Sequence, residues 1–338
     1  MLRSKLLVFI IVFACRIADG QSSADPFIQA GLDKAHVGKY AAAIKDYGVA
    51  IEWDSTQYRA YMYRGLAESA LGRYVLAIKD YSKAISLAPE NPVLYYDRAT
   101  AYESLMQWYQ AIKDDDKALK LRPRYKKALV NRGNAKDDGG DYQGAINDYS
   151  AAIQLDKKYI KAYYNRGNAK YDLKDWEGAI EDFSNTIKLN PASEPAYLNR
   201  GIARSRLNDT SGAMSDIDSA ILLNPKDPKG YFNRGTTMQK MNKNQESIKE
   251  LSIAIALKGD YSKAFTYRAV AFYNLKDYKA AFADVSKAIA LNSDDGVAYW
   301  YRGDLKRLLN LQDPCPDFAR SAELGIPQAE AAIRKYCH

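Results

Sequence analysis

The chain has 338 residues, of which 47% are hydrophobic and 27% charged, a composition that supports a sizeable core and excludes intrinsic disorder. Its formal charge of +8 comes from scattered lysines rather than basic blocks, so we attribute it to a solvated surface and expect no nucleic acid partner. The two histidines, His36 and His338, are too few for a histidine metal cluster or a catalytic triad. A phosphate-binding glycine loop is also missing. We therefore expect no enzymatic activity, no metal and no cofactor.

The N-terminus predicts a cleaved export signal. Arg3 and Lys5 precede an apolar run from Leu6 to Ala14, and the small residues Ala18 and Gly20 follow. The run is too short to span a bilayer as a mature anchor. We therefore predict that residues 1–20 are removed, which lowers the formal charge from +8 to +6, and that the mature protein is periplasmic or extracellular.

A second reading of the leader places the cut before Cys15. The stretch Val12 to Cys15 resembles a bacterial lipoprotein box, although the bulky Phe13 stands where a small residue is usual. A lipid on Cys15 would then be the route by which the protein contacts a membrane. Both routes take Cys15 out of the count, and an even pair of cysteines in an oxidising compartment predicts a disulfide between Cys315 and Cys337.

After the leader the chain repeats itself every 34 residues. Nine repeats from Ala24 to Ala329 align without insertion or deletion. An arginine recurs in one column of repeats 2 to 9, at Arg64, Arg98, Arg132, Arg166, Arg200, Arg234, Arg268 and Arg302. Small residues recur in other columns, as at Ala43, Ala77 and Ala111, and let two helices approach closely.

Each repeat predicts two amphipathic helices joined by a short polar or glycine-containing turn. Repeat 5 shows this in the segment from Ala162 to Pro191, where apolar residues twice recur at helical spacing. Its aromatic, small-residue and proline pattern resembles the tetratricopeptide repeat family. The resemblance implies an all-α, right-handed solenoid of helix-turn-helix repeats that binds protein or peptide partners.

The two ends depart from the repeat pattern, as capping repeats do. Repeat 1 has Ala30 in the arginine column, and repeat 9 has Cys315 and Pro316 in place of an alanine and isoleucine pair. Gly325 and Pro327 predict a further helix that runs to about Tyr336 and caps the last repeat through residues 330–338. The disulfide would pin this cap to the solenoid.

A column of acids in the second helices predicts a partner for each arginine. Acids occupy repeats 1 to 8 and arginines repeats 2 to 9, so pairing each acid with the arginine of the following repeat leaves no orphan at either end. The predicted pairs are Asp46 with Arg64, Asp80 with Arg98, Asp114 with Arg132, Asp148 with Arg166, Asp182 with Arg200, Asp216 with Arg234, Glu250 with Arg268 and Asp284 with Arg302. Such bidentate pairs would join adjacent repeats.

The resemblance also implies that the first helices line a concave groove in which an extended peptide lies. Asparagines precede the arginine column in four consecutive repeats, at Asn131, Asn165, Asn199 and Asn233, and Asn134 and Asn168 extend the polar strip. Amides can bind a peptide backbone, but they can equally brace neighbouring helices. Tyr164, Phe232 and Trp300 would supply apolar pockets or core packing. Lys127 and Lys161 resemble carboxylate-clamp residues or are simply solvated.

Three classes of function remain open. The first is a non-catalytic scaffold that binds a partner segment in the concave groove of repeats 3 to 7. The second is a structural or assembly factor of the cell envelope, which contacts its partners through the convex face or the ends. An accessory domain of an enzyme formed by another chain is a third possibility.

Overall fold

The computed structural model describes residues 24–337. The predicted leader, including Cys15, lies outside the described residues, and so does His338. The chain divides into two compact units, unit 1 ending at Leu173 and unit 2 beginning at Lys174.

Unit 1 consists of consecutive antiparallel helices. They are α1 (Asp25–His36), α2 (Tyr40–Trp53), α3 (Tyr58–Ala70), α4 (Tyr74–Leu87), α5 (Pro92–Ser104), α6 (Trp108–Leu121), α7 (Lys126–Asp138), α8 (Tyr142–Leu155) and α9 (Ile160–Asp172). These helices are the predicted hairpins of repeats 1 to 4 and the first helix of repeat 5.

Unit 2 continues the same alternation. It contains α10 (Trp176–Leu189), α11 (Glu194–Arg206), α12 (Thr210–Leu223), α13 (Pro228–Lys240), α14 (Asn244–Leu257), α15 (Ser262–Asn274), α16 (Tyr278–Leu291), α17 (Gly296–Leu308), α18 (Cys315–Glu323) and α19 (Pro327–Tyr336). Residues 24–337 contain no strand, so the prediction of an all-α solenoid of helix-turn-helix repeats is confirmed. No helix in this part of the chain is long and apolar enough to cross a membrane.

The two helices of a hairpin pack closely because small residues and a glycine face an aromatic ring. A Cβ added at Gly133 would lie 2.6 Å from the Tyr149 ring, and one added at Gly65 would lie 2.7 Å from Tyr81. Consecutive first helices also contact one another, as α5 and α7 do in unit 1 and α13 and α15 do in unit 2. No consecutive second helices make comparable contact within residues 24–337. We call the first-helix side of each unit its inner face.

The predicted pairing of arginines with acids of the preceding repeat is wrong. Six of the eight arginines instead pair with the acid of their own repeat, as Arg98 does with Asp114 at 2.7 Å. The same holds for Arg64 with Asp80, Arg132 with Asp148, Arg200 with Asp216, Arg234 with Glu250, and Arg268 with Asp284. The reason is geometric, because the two helices of one hairpin bring positions 16 residues apart face to face.

Pairing within one repeat leaves Asp46 of repeat 1 and Arg302 of repeat 9 without a partner in the arginine and acid columns. Both residues pair with side chains outside these columns. Lys34, one turn after the arginine column, pairs with Asp46 at 2.6 Å. Asp317, one residue before the acid column, accepts hydrogen bonds from the Nε and Nη2 atoms of Arg302. Neither Asp46 nor Arg302 is therefore stranded.

The arginines do join adjacent repeats, but through a residue that the sequence reading missed. Their remaining nitrogen donates to a side chain two positions after the acid of the preceding repeat, such as Ser82 for Arg98 at 2.9 Å. The other acceptors are Asp116 for Arg132, Ser150 for Arg166, Ser184 for Arg200, Asp218 for Arg234 and Ser252 for Arg268. A recurring serine or aspartate two residues after the acid was the available signal.

The C-terminal helix α19 is anchored to the last repeat by the predicted disulfide. Cys315 and Cys337 are bonded, with their Cα atoms 5.6 Å apart. Tyr336 stacks on Phe318 and lies under the Arg307 guanidinium, 4.8 Å from the ring centre. The helix begins at Pro327 and ends at Tyr336, as the cap signals predict.

Candidate functional site

The asparagine strip serves a structural purpose in unit 1. Asn131 is buried, with 7% of its surface exposed, and its amide donates to Asp115 at 2.8 Å. Asn131 therefore has no access to a ligand, and the prediction that it binds peptide is wrong. The physical reason is that α7 places it against the fully buried Asp115 of α6 rather than on the surface.

Asn134 and Asn165 are also engaged within unit 1. The Asn134 carbonyl oxygen accepts from the Asn165 amide at 2.8 Å and from the Tyr149 hydroxyl at 3.0 Å. These bonds tie α7 to α8 and α9. The bracing interpretation of the strip, left open by the sequence, accounts for these two residues.

Carboxyl groups crowd the same inner face. Burial raises the pKa of Asp115 to about 8, although the hydrogen bond from Asn131 opposes the shift. Burial likewise raises the pKa of Asp97 and that of Glu103 to about 7. One oxygen of Asp115 is buried without a hydrogen-bond partner. At neutral pH Asp115 is therefore mainly protonated, which removes the cost of a buried charge.

The other predicted groove residues lie on the surface or half-buried. Asn233 of α13 donates to the Lys229 carbonyl of its own helix at 2.8 Å. Lys127 and Lys161 are exposed, and the Lys127 charge lowers the pKa of Asp97 against the effect of burial. Asn168, Asn199 and Tyr164 are half-buried. Their role in ligand binding stays a prediction.

Phe232 belongs to an open cavity on the inner face of unit 2. The cavity has a volume of about 730 Å³, within the usual range for ligand sites. Its walls are the first helices α13, α15 and α17 and the turn before α19, which contribute Phe232, Thr266, Tyr267, Val270, Gly296, Val297, Tyr301, Leu324 and Ile326. Tyr267 stands edge-on to Phe232 with ring centres 5.4 Å apart. An apolar side chain can enter here without displacing the core.

A smaller cavity of about 280 Å³ adjoins the first and shares Val297, Tyr301 and Ile326 with it. Trp300 forms one of its walls, and the indole nitrogen is buried without a hydrogen-bond partner. Gly296 is required at the wall, because a Cβ there would lie 2.9 Å from both Leu324 and Ile326. Together the two cavities form a continuous apolar depression across repeats 7 to 9.

Charged side chains border this depression. Arg206 and Lys263 line it as cations, and Asp294 and Asp295 line it as anions. Asp294 pairs with Arg320 at 3.1 Å. Both oxygens of Asp295 accept hydrogen bonds within the chain, one from the Thr266 hydroxyl at 2.6 Å and one from the Ala298 amide at 3.0 Å.

Most of these residues were not selected from the sequence. Phe232 was, but Tyr267, Tyr301 and Ile326 were not, because the alternation that predicts helices does not show which aromatic side chains remain open. Tyr267 and Tyr301 occupy the column that precedes the arginines, where the middle repeats have asparagine. That change of residue type from repeat 7 to repeats 8 and 9 was the available signal.

Models of known families match three parts of the chain. A model described as tetratricopeptide repeat matches residues 58–91 and 160–193, another with the same description matches residues 232–296, and one described as TPR repeat matches residues 138–174. No curated relative matches the sequence.

Several solved structures are similar to this chain. One is the Cut9–Hcn1 hetero-tetramer of APC/C, at 13% identity over 94% of this chain and 76% of that chain, with a TM-score of 0.60. A tetratricopeptide repeat protein from Parabacteroides merdae has 17% identity over 75% of this chain and 100% of its own, with a TM-score of 0.58. YrrB, described as a TPR protein with an unusual peptide-binding site, has 21% identity over 54% of this chain and 95% of its own, with a TM-score of 0.48.

The tandem hairpins, the small-residue columns and these matches define a class of repeat protein that acts through interaction surfaces. The chain belongs to the tetratricopeptide repeat family. Proteins of this family bind other proteins or peptides. At such low identity the solved structures establish the fold and say nothing further about this chain's partner.

Proposed function

We propose that the protein is a non-catalytic scaffold that binds an extended segment of a partner protein on its inner face. The anchoring site is the aromatic cavity of unit 2. The observation that carries the proposal is the exposure of large apolar side chains there, with Tyr267 41% and Val297 40% exposed. An exposed apolar depression with a charged border is typical of interaction sites.

The proposal differs from the sequence prediction in its location. The groove was expected over repeats 3 to 7, where the asparagines lie. In unit 1 those asparagines and the acids beside them bond to one another, so their capacity for a ligand is reduced. The cavity of repeats 7 to 9 retains apolar surface that nothing in unit 2 covers.

Affinity capture from the native envelope fraction tests the proposal. Tyr267→Ala and Val297→Asp should each lose the partner that the unchanged protein retains. Tyr109→Ala is a matched control. Tyr109 is 76% exposed, but it lies on the second helix α6 of unit 1 and does not line the cavity. Retention of the partner by both cavity variants and loss with Tyr109→Ala would favour the envelope-assembly role through the second helices.

We further infer that the mature protein works in an oxidising compartment. The Cys315–Cys337 disulfide supports this, because such bonds persist mainly outside the cytosol. Mass spectrometry of the native protein under non-reducing conditions should find no free thiol on either cysteine and should locate the mature N-terminus. Two free thiols would contradict the inference, and a lipid on Cys15 would select the lipoprotein route.

A further inference from the structure

We propose that the aromatic cavity of unit 2 selects segments in which a large apolar side chain is flanked by acidic residues. This inference rests on the proposed function, because it assigns a partner chemistry to the same cavity. It concerns internal Asp or Glu side chains of a partner and not a free terminal carboxylate.

The apolar part of the ligand follows from the cavity walls. Phe232, Tyr267 and Tyr301 present ring surfaces, and Val270 and Ile326 complete the lining. Phe232 is held in place by Tyr261, with ring centres 5.0 Å apart. A single Leu, Ile or Phe side chain would remove exposed ring surface of Tyr267 from water, and Phe would also gain edge-to-face contacts.

The acidic residues of the ligand are inferred from which charged side chains at the cavity already have partners within the chain. Asp294 is paired with Arg320, and both oxygens of Asp295 accept hydrogen bonds from the chain itself. Asp295 also stands at the N-terminus of α17, where the helix dipole favours a negative charge. Neither acid therefore needs a cation from a ligand.

One cation that lines the cavity has no such partner. Lys263 lines the cavity, is exposed and forms no salt bridge within residues 24–337. Lys229 and Lys240 on α13 form no salt bridge within residues 24–337 either, although Lys240 donates hydrogen bonds to the Ser205 hydroxyl and carbonyl oxygens, each at 2.9 Å. Burial, and after it the charge of the nearby Arg206, lowers the pKa of Lys240. Lys263 thus carries positive charge at the cavity that no salt bridge within residues 24–337 compensates, and an acidic ligand would compensate it.

Selection of random dodecapeptides displayed as N-terminal fusions tests this chemistry directly. Displayed in this way, the peptides have no free carboxyl terminus. Selection on the unchanged full chain, with Tyr267→Ala as the counter-selection, isolates peptides that need the cavity. We expect them to contain an apolar residue with Asp or Glu within about three positions on either side, a spacing set by the reach of a lysine side chain.

Charge reversal supplies the second measurement. Lys263→Glu should weaken the binding of the selected acidic peptides about 5- to 10-fold at low salt, the range expected when one exposed attraction becomes a repulsion. Lys249→Glu, on the exposed side of the second helix α14, makes the same change in net charge and should leave affinity unchanged. The difference between the two variants should shrink as salt is raised.

The outcomes separate the inference from the proposed function. Cavity-dependent peptides that are neutral or basic would overturn the acidic preference and leave the scaffold function in place. Equal effects of Lys263→Glu and Lys249→Glu would overturn it as well, since the charge of the whole chain would then be responsible. If no selected peptide depends on Tyr267, the cavity is not the anchoring site and both proposals fail.

Discussion

Unit 1 and unit 2 differ in the polar side chains on their inner faces, although both are built from the same 34-residue repeat. In unit 1 the first helices present Asp97, Glu103, Asp137, Asp138 and Asp172, and none of these forms a salt bridge within residues 24–337. In unit 2 the corresponding helices present Arg206, Lys229, Lys240 and Lys263. Several inner polar groups of unit 1 bond to one another, as Asn134 and Asn165 do, whereas unit 2 has an open aromatic cavity.

The comparison shows that the repeat separates its structural positions from its surface positions. The arginine, its acid and the facing small residues recur in both units with the same geometry, so they define the hairpin. The inner positions vary freely between acid, amide, aromatic and base because the hairpin does not depend on them. Where they bond to one another, as Asn131 and Asp115 do, they have become part of the structure.

The largest effect should come from positions that the two units share. Arg98→Met in unit 1 and Arg268→Met in unit 2 each leave a nearly buried aspartate without its bidentate partner, since Asp114 and Asp284 have side-chain exposures of 8% and 9%. We expect each variant to lose about 3 kcal/mol of unfolding free energy. Urea denaturation, with hydrogen exchange read separately for each unit, measures both.

A double-mutant cycle decides which acid belongs to each arginine. Arg98→Met and Asp114→Asn should be strongly non-additive, because they remove the same ion pair. Arg98→Met and Asp80→Asn should add, because Asp80 pairs with Arg64. Strong coupling in the second cycle would restore the pairing between repeats that the sequence predicted.

A smaller effect should distinguish the asparagines of the two units. Asn131→Ala leaves the buried Asp115 without its donor and should cost about 2 kcal/mol of stability. Asn233→Ala loses one bond to its own helix and gains helix propensity, so its effect should stay within about 0.5 kcal/mol. Equal thermal shifts for the two variants would show that unit 1 does not depend on its internal network.

The acids of unit 1 should also make its stability depend on pH. The pKa of Asp115 is raised to about 8 and that of Glu103 to about 7 in the folded state, above unfolded values of about 4. At pH values between the unfolded and folded pKa values, folded unit 1 therefore binds more protons than the unfolded chain. Its stability should consequently fall as pH rises from 5 to 8. Unit 2 should show a smaller decline, because burial raises the pKa of Glu194 on its inner face in the same direction.

Hydrogen exchange at several pH values, corrected for the intrinsic exchange rate, checks this difference between the units. Asp115→Asn should flatten the decline in unit 1, because the amide stays neutral at every pH. A decline of equal slope in the variant would assign it to Asp97 and Glu103 instead. Stability of unit 1 that rises with pH over this range would contradict the direction of the shifts.

The sequence was sufficient for the hairpins and insufficient for the surfaces. A strict period shows where helices begin and end, since capping, turn and packing positions repeat with it. It did not show that Arg98 faces Asp114 rather than Asp80, because both acids stand in the same column and the choice depends on how the helices pack. The cavity could not be predicted from the sequence for a similar reason. Ile326 lines it from the turn before α19, and this contact depends on how that turn packs against the repeats.

The smallest expected effect concerns the turn inside each hairpin, which both units share. Its left-handed residue is glycine in repeats 1, 2 and 4, but Met106 in repeat 3 and Lys276 in repeat 8 hold positive φ angles of 56° and 62°. Glycine avoids the strain of this conformation but loses more entropy on folding, so Met106→Gly and Lys276→Gly should each stabilise by about 0.5 kcal/mol net. Asn242→Gly, at a φ of 57°, should gain less, because asparagine tolerates the left-handed region. Thermal denaturation of the three variants measures this, and a gain at Met106 without one at Lys276 would mean that the two units differ in their turns as well as in their inner faces.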